Sequence, residues 1–125
     1  VIFQQVQWDA AAAREYARVP LSPGWSVERL GREVVAGKTD LFRVSVEGEP
    51  FIWCALYTSD GDLCLAGIAG RLPAKHDQEF TDFLRRIARA CGCNRLRMET
   101  ARRGVYRRAK SQGWNVAEMV MIQNV

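Results

Sequence analysis

Between Arg85 and Lys110 the chain carries ten basic residues (Arg85, Arg86, Arg89, Arg95, Arg97, Arg102, Arg103, Arg107, Arg108 and Lys110) and one acid, Glu99. That stretch is therefore +9 in a chain of net charge +4, which leaves −5 for the remainder. Guanidinium forks match carboxylate and phosphate geometry, so the stretch suits an anionic partner: a phosphate-bearing cofactor, a nucleic acid or an acidic protein face. The competing reading is a set of solvated helix faces, since Arg is a good helix former and complements the dipole near a helix C-terminus. Metal chemistry is not expected. Cys91-Gly92-Cys93 is tighter than the Cys-x2-Cys spacing of zinc knuckles, and His76, the one histidine, is distant in sequence.

Cys54, Cys64, Cys91 and Cys93 fall inside apolar strand and helix patterns, as reduced, buried thiols of a cytoplasmic protein do. The sequence has no run of about 18 apolar residues and no charged segment leading into an apolar one, so neither a membrane span nor a signal peptide is expected. At 125 residues the chain fits a single domain, 1–125, able to bury a core without metal or disulfide.

The elements that must position these residues follow from periodicity. Residues 8–18 are Ala-rich with Asp9 early and Arg14 and Arg18 late, which predicts a helix ending before Pro20. Ser26 is placed to cap a second helix running to Gly37, with Val27, Leu30, Val34 and Val35 as its apolar stripe. Strands are predicted over Leu41–Val46, Phe51–Thr58 and Leu63–Ala69. The last two join through Asp60-Gly61, the dipeptide a two-residue type I′ turn prefers. Apolar residues on both faces of those two strands call for helices on both sides of the sheet. Phe80, Phe83, Leu84, Ile87, Ala88 and Cys91 recur at helical spacing, with Asp77 as the expected cap and Gly92 as the stop. A short strand (95–99), a basic helix capped by Thr100 and ending at Gly113, and a strand over Val116–Val125 complete the chain.

The order helix, helix, three antiparallel strands, helix, strand, helix, strand resembles the GNAT acetyltransferase superfamily over nearly the whole chain. Its ending, Tyr106-Arg107-Arg108-Ala109-Lys110-Ser111-Gln112-Gly113-Trp114, looks like that superfamily's closing helix, with Gly and an aromatic opening the last strand. The resemblance implies an α/β (α+β) fold with a mixed, mainly antiparallel sheet between helices. It also implies acetyl-CoA as donor and an amine as acceptor. Short members of this kind are familiar from bacteriophage genomes.

In such enzymes an Arg/Gln-x-x-Gly-x-Gly/Ala turn cradles the pyrophosphate on backbone N–H groups at a helix N-terminus. The matching stretch here is Arg71-Leu72-Pro73-Ala74-Lys75-His76. Arg71 fits, Ala74 and His76 replace the expected small residues, and Pro73 removes a donor. Arg71, Ala74, Lys75 and His76 are the implied cofactor contacts. The Tyr that protonates the departing thiolate would fall on Ala109, and Tyr106, one turn earlier, is the candidate general acid. Candidate bases are Asp60, Asp62 and Glu99.

Three functions follow from this reading. The first is N-acyl transfer or acyl-CoA binding, with the oxyanion polarised by a backbone N–H of the Leu63–Ala69 strand. The second is a catalytically inactive GNAT-like binding or structural protein. The third is nucleic-acid binding through the Arg-rich half, although no helix-turn-helix, aromatic RNA-binding or zinc-finger signature accompanies it. A final apolar strand would also offer an edge for a homodimer.

Overall fold

Strand pairing begins earlier than the sequence pattern indicates. A computed structural model describes residues 1–22, 24–100, 102–116 and 123–124, and its first element is a strand, β1 (Ile2–Val6). Gln4 and Gln5 interrupt the alternation there, and only Phe3 and Val6 turn partly inward. Such an edge strand has no period-2 signal to read. Helices α1 (Ala10–Tyr16) and α2 (Val27–Val35) follow, then strands β2 (Asp40–Val46), β3 (Glu49–Ser59) and β4 (Asp62–Gly70). Helix α3 (Asp77–Ala90), strand β5 (Arg95–Met98) and helix α4 (Arg103–Ser111) complete the described elements.

The five strands form one sheet in the order β1-β2-β3-β4-β5. The first three pairings are antiparallel and β4–β5 is parallel. Both hairpin turns take positive φ at two successive residues, Glu47 (52°) with Gly48 (82°) and Asp60 (50°) with Gly61 (81°), as type I′ turns require. Ala55 pairs with Gly67 and Leu56 with Leu65, so Ala66 is an extra residue on β4, a β-bulge that bends the strand at its midpoint.

Helices cover both faces of the sheet, as its two-sided apolar strands require. On one face Ala12, Tyr16 and Leu30 of α1 and α2 pack on Leu41, Trp53, Ala55, Ala66 and Ala69. On the other, Phe83, Leu84 and Ala88 of α3 pack on Phe42, Cys54, Leu56, Leu63 and Leu65. Phe83 stacks on Phe3 at 4.2 Å and meets Phe42 edge-on at 5.2 Å, so the unforeseen β1 is bound into the α3 face.

Local signals at the helix ends are mixed. Asp9 accepts from the Ala12 N–H at 2.8 Å and Ser26 from the Arg29 N–H at 3.1 Å, capping α1 and α2. Asp77 is not a cap. It is the first residue of α3, whose cap residue, His76, makes no side-chain cap bond. Thr100 accepts from the Arg102 N–H at 3.1 Å, but α4 begins later, at Arg103. Positive φ at Gly92 (72°) and Gly113 (89°) ends α3 and α4 as the sequence predicts. The strand expected over 116–125 falls mainly on 117–122 and 125, outside the described residues.

Candidate functional site

Strand β4 is paired on both sides along only half its length. Asp62–Leu65 lie opposite Arg95–Met98 of β5, and beyond Leu65 the strand runs on to Gly70 with no further β5 partner. The two parallel strands therefore form a fork. Its base is fixed by Arg95, which donates to both oxygens of Asp62 at 2.8 and 2.9 Å. Asp62 is only 4% exposed and is the first residue of β4 rather than a turn residue. The Arg95 hydrogen bonds hold its carboxyl below the usual carboxylate range. At the far end Gly70 has φ +92°, and a Cβ there would stand 2.2 Å from the Phe51 carbonyl oxygen, so β4 closes against β3 only through glycine.

The open side of the fork leads into a cavity of about 440 Å³ between β4, α3 and α4. Ile68, Met98, Phe80, Leu84, Val105, Ala109 and Trp114 make it largely apolar, and Arg71, Arg102, Arg108, Asp77 and Gln112 add polar groups. The side-chain oxygen of Gln112 is buried and has no hydrogen-bond partner among the described residues. A buried amide oxygen without a donor is an uncommon and costly state.

Helix α4 forms one wall without burying a residue. Two arginines hold it. Arg108 donates to both oxygens of Asp77, with Nε at 3.0 Å from Oδ2, and to the Leu72 carbonyl at 2.7 Å. The Asp77 hydrogen bonds raise the Arg108 pKa above its ordinary value. Arg102 donates to the Ile68 carbonyl at 3.1 Å, reaching the half of β4 that pairs with β3 but not with β5.

Of Arg71, Ala74, Lys75 and His76, in the segment between β4 and α3, Arg71 lines this cavity and the other three do not. Ala74–His76 is a turn of 3₁₀ helix. The Arg71 N–H donates to the Phe51 carbonyl at 3.1 Å, the His76 N–H to the Pro73 carbonyl at 3.0 Å, and the Asp77 N–H to the Ala74 carbonyl. Three backbone donors are thus engaged within the fold, Pro73 has none, and the Asp77 carboxylate stands at the start of α3. His76 Nδ1 lies 3.4 Å from Glu79 Oε1, while its Nε2 is buried without a partner among the described residues.

Tyr106 is 42% exposed, lies beneath the Lys110 ammonium at 5.5 Å and does not line the cavity, whereas Ala109 does. Asp60 is exposed in its turn. Glu99 is exposed just beyond β5, 3.6 Å from Arg97, and its backbone carbonyl accepts from the Ser22 hydroxyl at 2.8 Å. On the α1/α2 face, Trp25 packs against Tyr57 at 5.4 Å and carries the Arg29 guanidinium at 4.1 Å. Burial first, with Cys64 and the Glu99 charge adding to it, pushes the Tyr57 hydroxyl above its ordinary pKa.

The sequence holds a signal for Gln112, since Val105, Ala109 and Gln112 recur at i, i+4 and i+7 as an uncharged stripe on an otherwise basic helix, whereas Arg102 and Arg108 stand there only as members of the basic set. Among the described residues, no group of three or more His, Cys, Asp or Glu can hold a metal ion, and no helix is long and apolar enough to cross a membrane.

No protein-family model and no curated protein matches the sequence. Solved structures do match the fold. A tetramutant of the BH1408 protein from Bacillus halodurans aligns with TM-score 0.75 at 10% identity, over 100% of both chains. An IAA acetyltransferase from Bacillus cereus ATCC 14579 aligns with TM-score 0.71 at 12% identity, over 94% of this chain and 78% of that one. AAC(6′)-Iy, solved in complex with the bisubstrate analogue CoA-S-monomethyl-acetylneamine, aligns with TM-score 0.58 at 16% identity, over 100% and 99%. With its five-stranded, mainly antiparallel sheet, helices on both faces and a β4/β5 fork, the chain has the GNAT acetyltransferase fold.

Proposed function

We propose that the chain is a GNAT-type N-acyltransferase that draws its acyl group from the thioester of a pantetheine arm, with acetyl-CoA as the reference donor. The observation that carries this is the cavity at the fork with its unpartnered Gln112 oxygen. A pantetheine arm is narrow, with methylene and methyl groups between two amides, and its amide N–H groups are the donors that oxygen lacks. In the reaction the acceptor's amine nitrogen attacks the thioester carbonyl carbon. The C–N bond forms, the C–S bond breaks, the amine proton passes to a base and the thiolate takes up a proton. A backbone N–H from the half of β4 that does not pair with β5 polarises the carbonyl oxygen. Glu99, just beyond β5 and with its charge acting on Tyr57, is the carboxylate we assign as base.

The two ends of coenzyme A fit unequally. The arm suits the cavity, and Arg71 and Lys75 are the cations assigned to phosphate. A diphosphate cradle, however, finds no N–H at Pro73, and the N–H groups of Arg71, His76 and Asp77 are engaged within the fold. Calorimetric titration with acetyl-CoA, repeated for Arg71→Ala, tests the reading. Micromolar binding weakened about tenfold in the variant is expected. No heat at millimolar donor contradicts it.

The position of Ala109 in the wall, with Tyr106 on the solvent side, favours a second reading: a domain that binds the thioester without turning it over. Ala109→Tyr separates the two. In a transferase, a hydroxyl at that wall raises turnover by about tenfold or more. In a binding domain, turnover stays at background.

A further inference from the structure

We infer that the acyl donor arrives on an acidic carrier protein, through a phosphopantetheine arm covalently attached to it, rather than as a free nucleotide thioester. The inference rests on the pantetheine reading of the cavity given above. Three features meet on the same elements. The cavity is sized for an arm, and the turn beside it is a poorer diphosphate cradle, because Pro73 has no N–H and those of Arg71, His76 and Asp77 are engaged within the fold. A carrier-bound arm brings a single phosphate, which the Arg71 fork and the Lys75 point charge can meet without a nest of amides.

The third feature is helix α4. Arg103, Arg107 and Lys110 recur at i, i+4 and i+7 and are all exposed, and no acid occurs between Thr100 and Val116. This stripe lies on the opposite side of α4 from Val105, Ala109 and Gln112, which line the cavity. One helix thus presents a basic surface outward and an arm-binding wall inward. An arm with the backbone length of about five residues spans roughly 17 Å, enough to round a helix about 10 Å across. A nucleic acid would account for the basic stripe but leaves the apolar cavity and its orphaned amide oxygen without a role.

The transfer itself is unchanged. The acceptor nitrogen takes the acyl group, the C–S bond breaks, and the thiol stays on the carrier after gaining a proton.

The test uses a purified, fluorescently labelled acyl carrier protein in two forms, acetyl-phosphopantetheinylated and lacking the arm, alongside acetyl-CoA, acetylpantetheine and a 20-base-pair DNA duplex as probes, a length of about two helical turns. The acetylated carrier is expected to bind about tenfold more tightly than acetyl-CoA, and about tenfold more tightly than the armless carrier. Its affinity should fall steeply with salt. The double variant Arg103→Glu, Arg107→Glu, with its circular dichroism unchanged, should weaken carrier binding about tenfold and leave acetylpantetheine binding as it was. Acetyl-CoA binding as tightly as the carrier, or charge reversal without effect, overturns the carrier inference and leaves acyl transfer standing. Duplex binding tighter than carrier binding also overturns it. Failure of acetyl-CoA, acetylpantetheine and carrier alike overturns the acyl-transfer reading and the carrier with it.

Discussion

Helices α3 and α4 face each other across the cavity and are held in place by different forces. Thr81, Phe83, Leu84 and Ala88 of α3 are buried, and its ring stack on Phe3 and its contacts with β3 and β4 make it part of the core. Helix α4 buries no residue and is anchored by the Arg108 and Arg102 guanidinium groups. Apolar burial is not weakened by simple salts, whereas charge-assisted bonds at a partly exposed site are screened by them. The site therefore has one fixed wall and one wall whose position depends on polar contacts, and the ligand is expected to lie between them.

Substitutions on the two helices should separate accordingly. Leu84→Ala removes a side chain that is 1% exposed and should cost about 2–5 kcal/mol, read as a lowered denaturant midpoint. Arg108→Ala strands the Asp77 carboxylate and the Leu72 carbonyl. Because the Arg108 side chain is 36% exposed, solvent screening reduces the expected loss to about 1–2 kcal/mol. That loss should shrink in high salt, while the Leu84→Ala loss should not. Equal salt sensitivity in the two variants would remove the distinction between the walls.

The base of the fork gives a pH signature smaller than either. Asp62 has its folded pKa lowered by Arg95, so its stabilisation is complete above the ordinary carboxylate value near 4 and is lost as pH falls through the lowered folded value. The Tm difference between the wild type and Asp62→Asn should be largest at neutral pH and vanish in acid. The smallest effect is expected at Tyr106. With its ring outside the cavity, Tyr106→Phe should change turnover less than about twofold, well below the loss expected of a positioned general acid.

Much of the fold was legible in the sequence because its signals are local. Asp60-Gly61 announced a hairpin, and the 3.6 period of Phe80, Phe83, Leu84 and Ile87 announced α3. Strand β1 was not legible, since its inward residues, Phe3 and Val6, are separated by two glutamines and acquire meaning only against Phe83 and β2. The candidate site divides in the same way. Arg71 and the turn after it could be found from their place between strand and helix. Arg102 and Arg108 read as charge, because nothing local says that one reaches the Ile68 carbonyl and the other Asp77. Asp62 read as part of a turn because its partner, Arg95, lies 33 residues away.

The most direct test of the account is acetylpantetheine binding to the wild type and to Val105→Trp, a substitution that fills the cavity from the α4 wall and leaves the α3 core untouched. Micromolar to millimolar binding by the wild type, abolished in a folded Val105→Trp protein, is the predicted result. Undiminished binding in the filled variant would place the arm elsewhere and contradict the assignment of the fork cavity as the donor site.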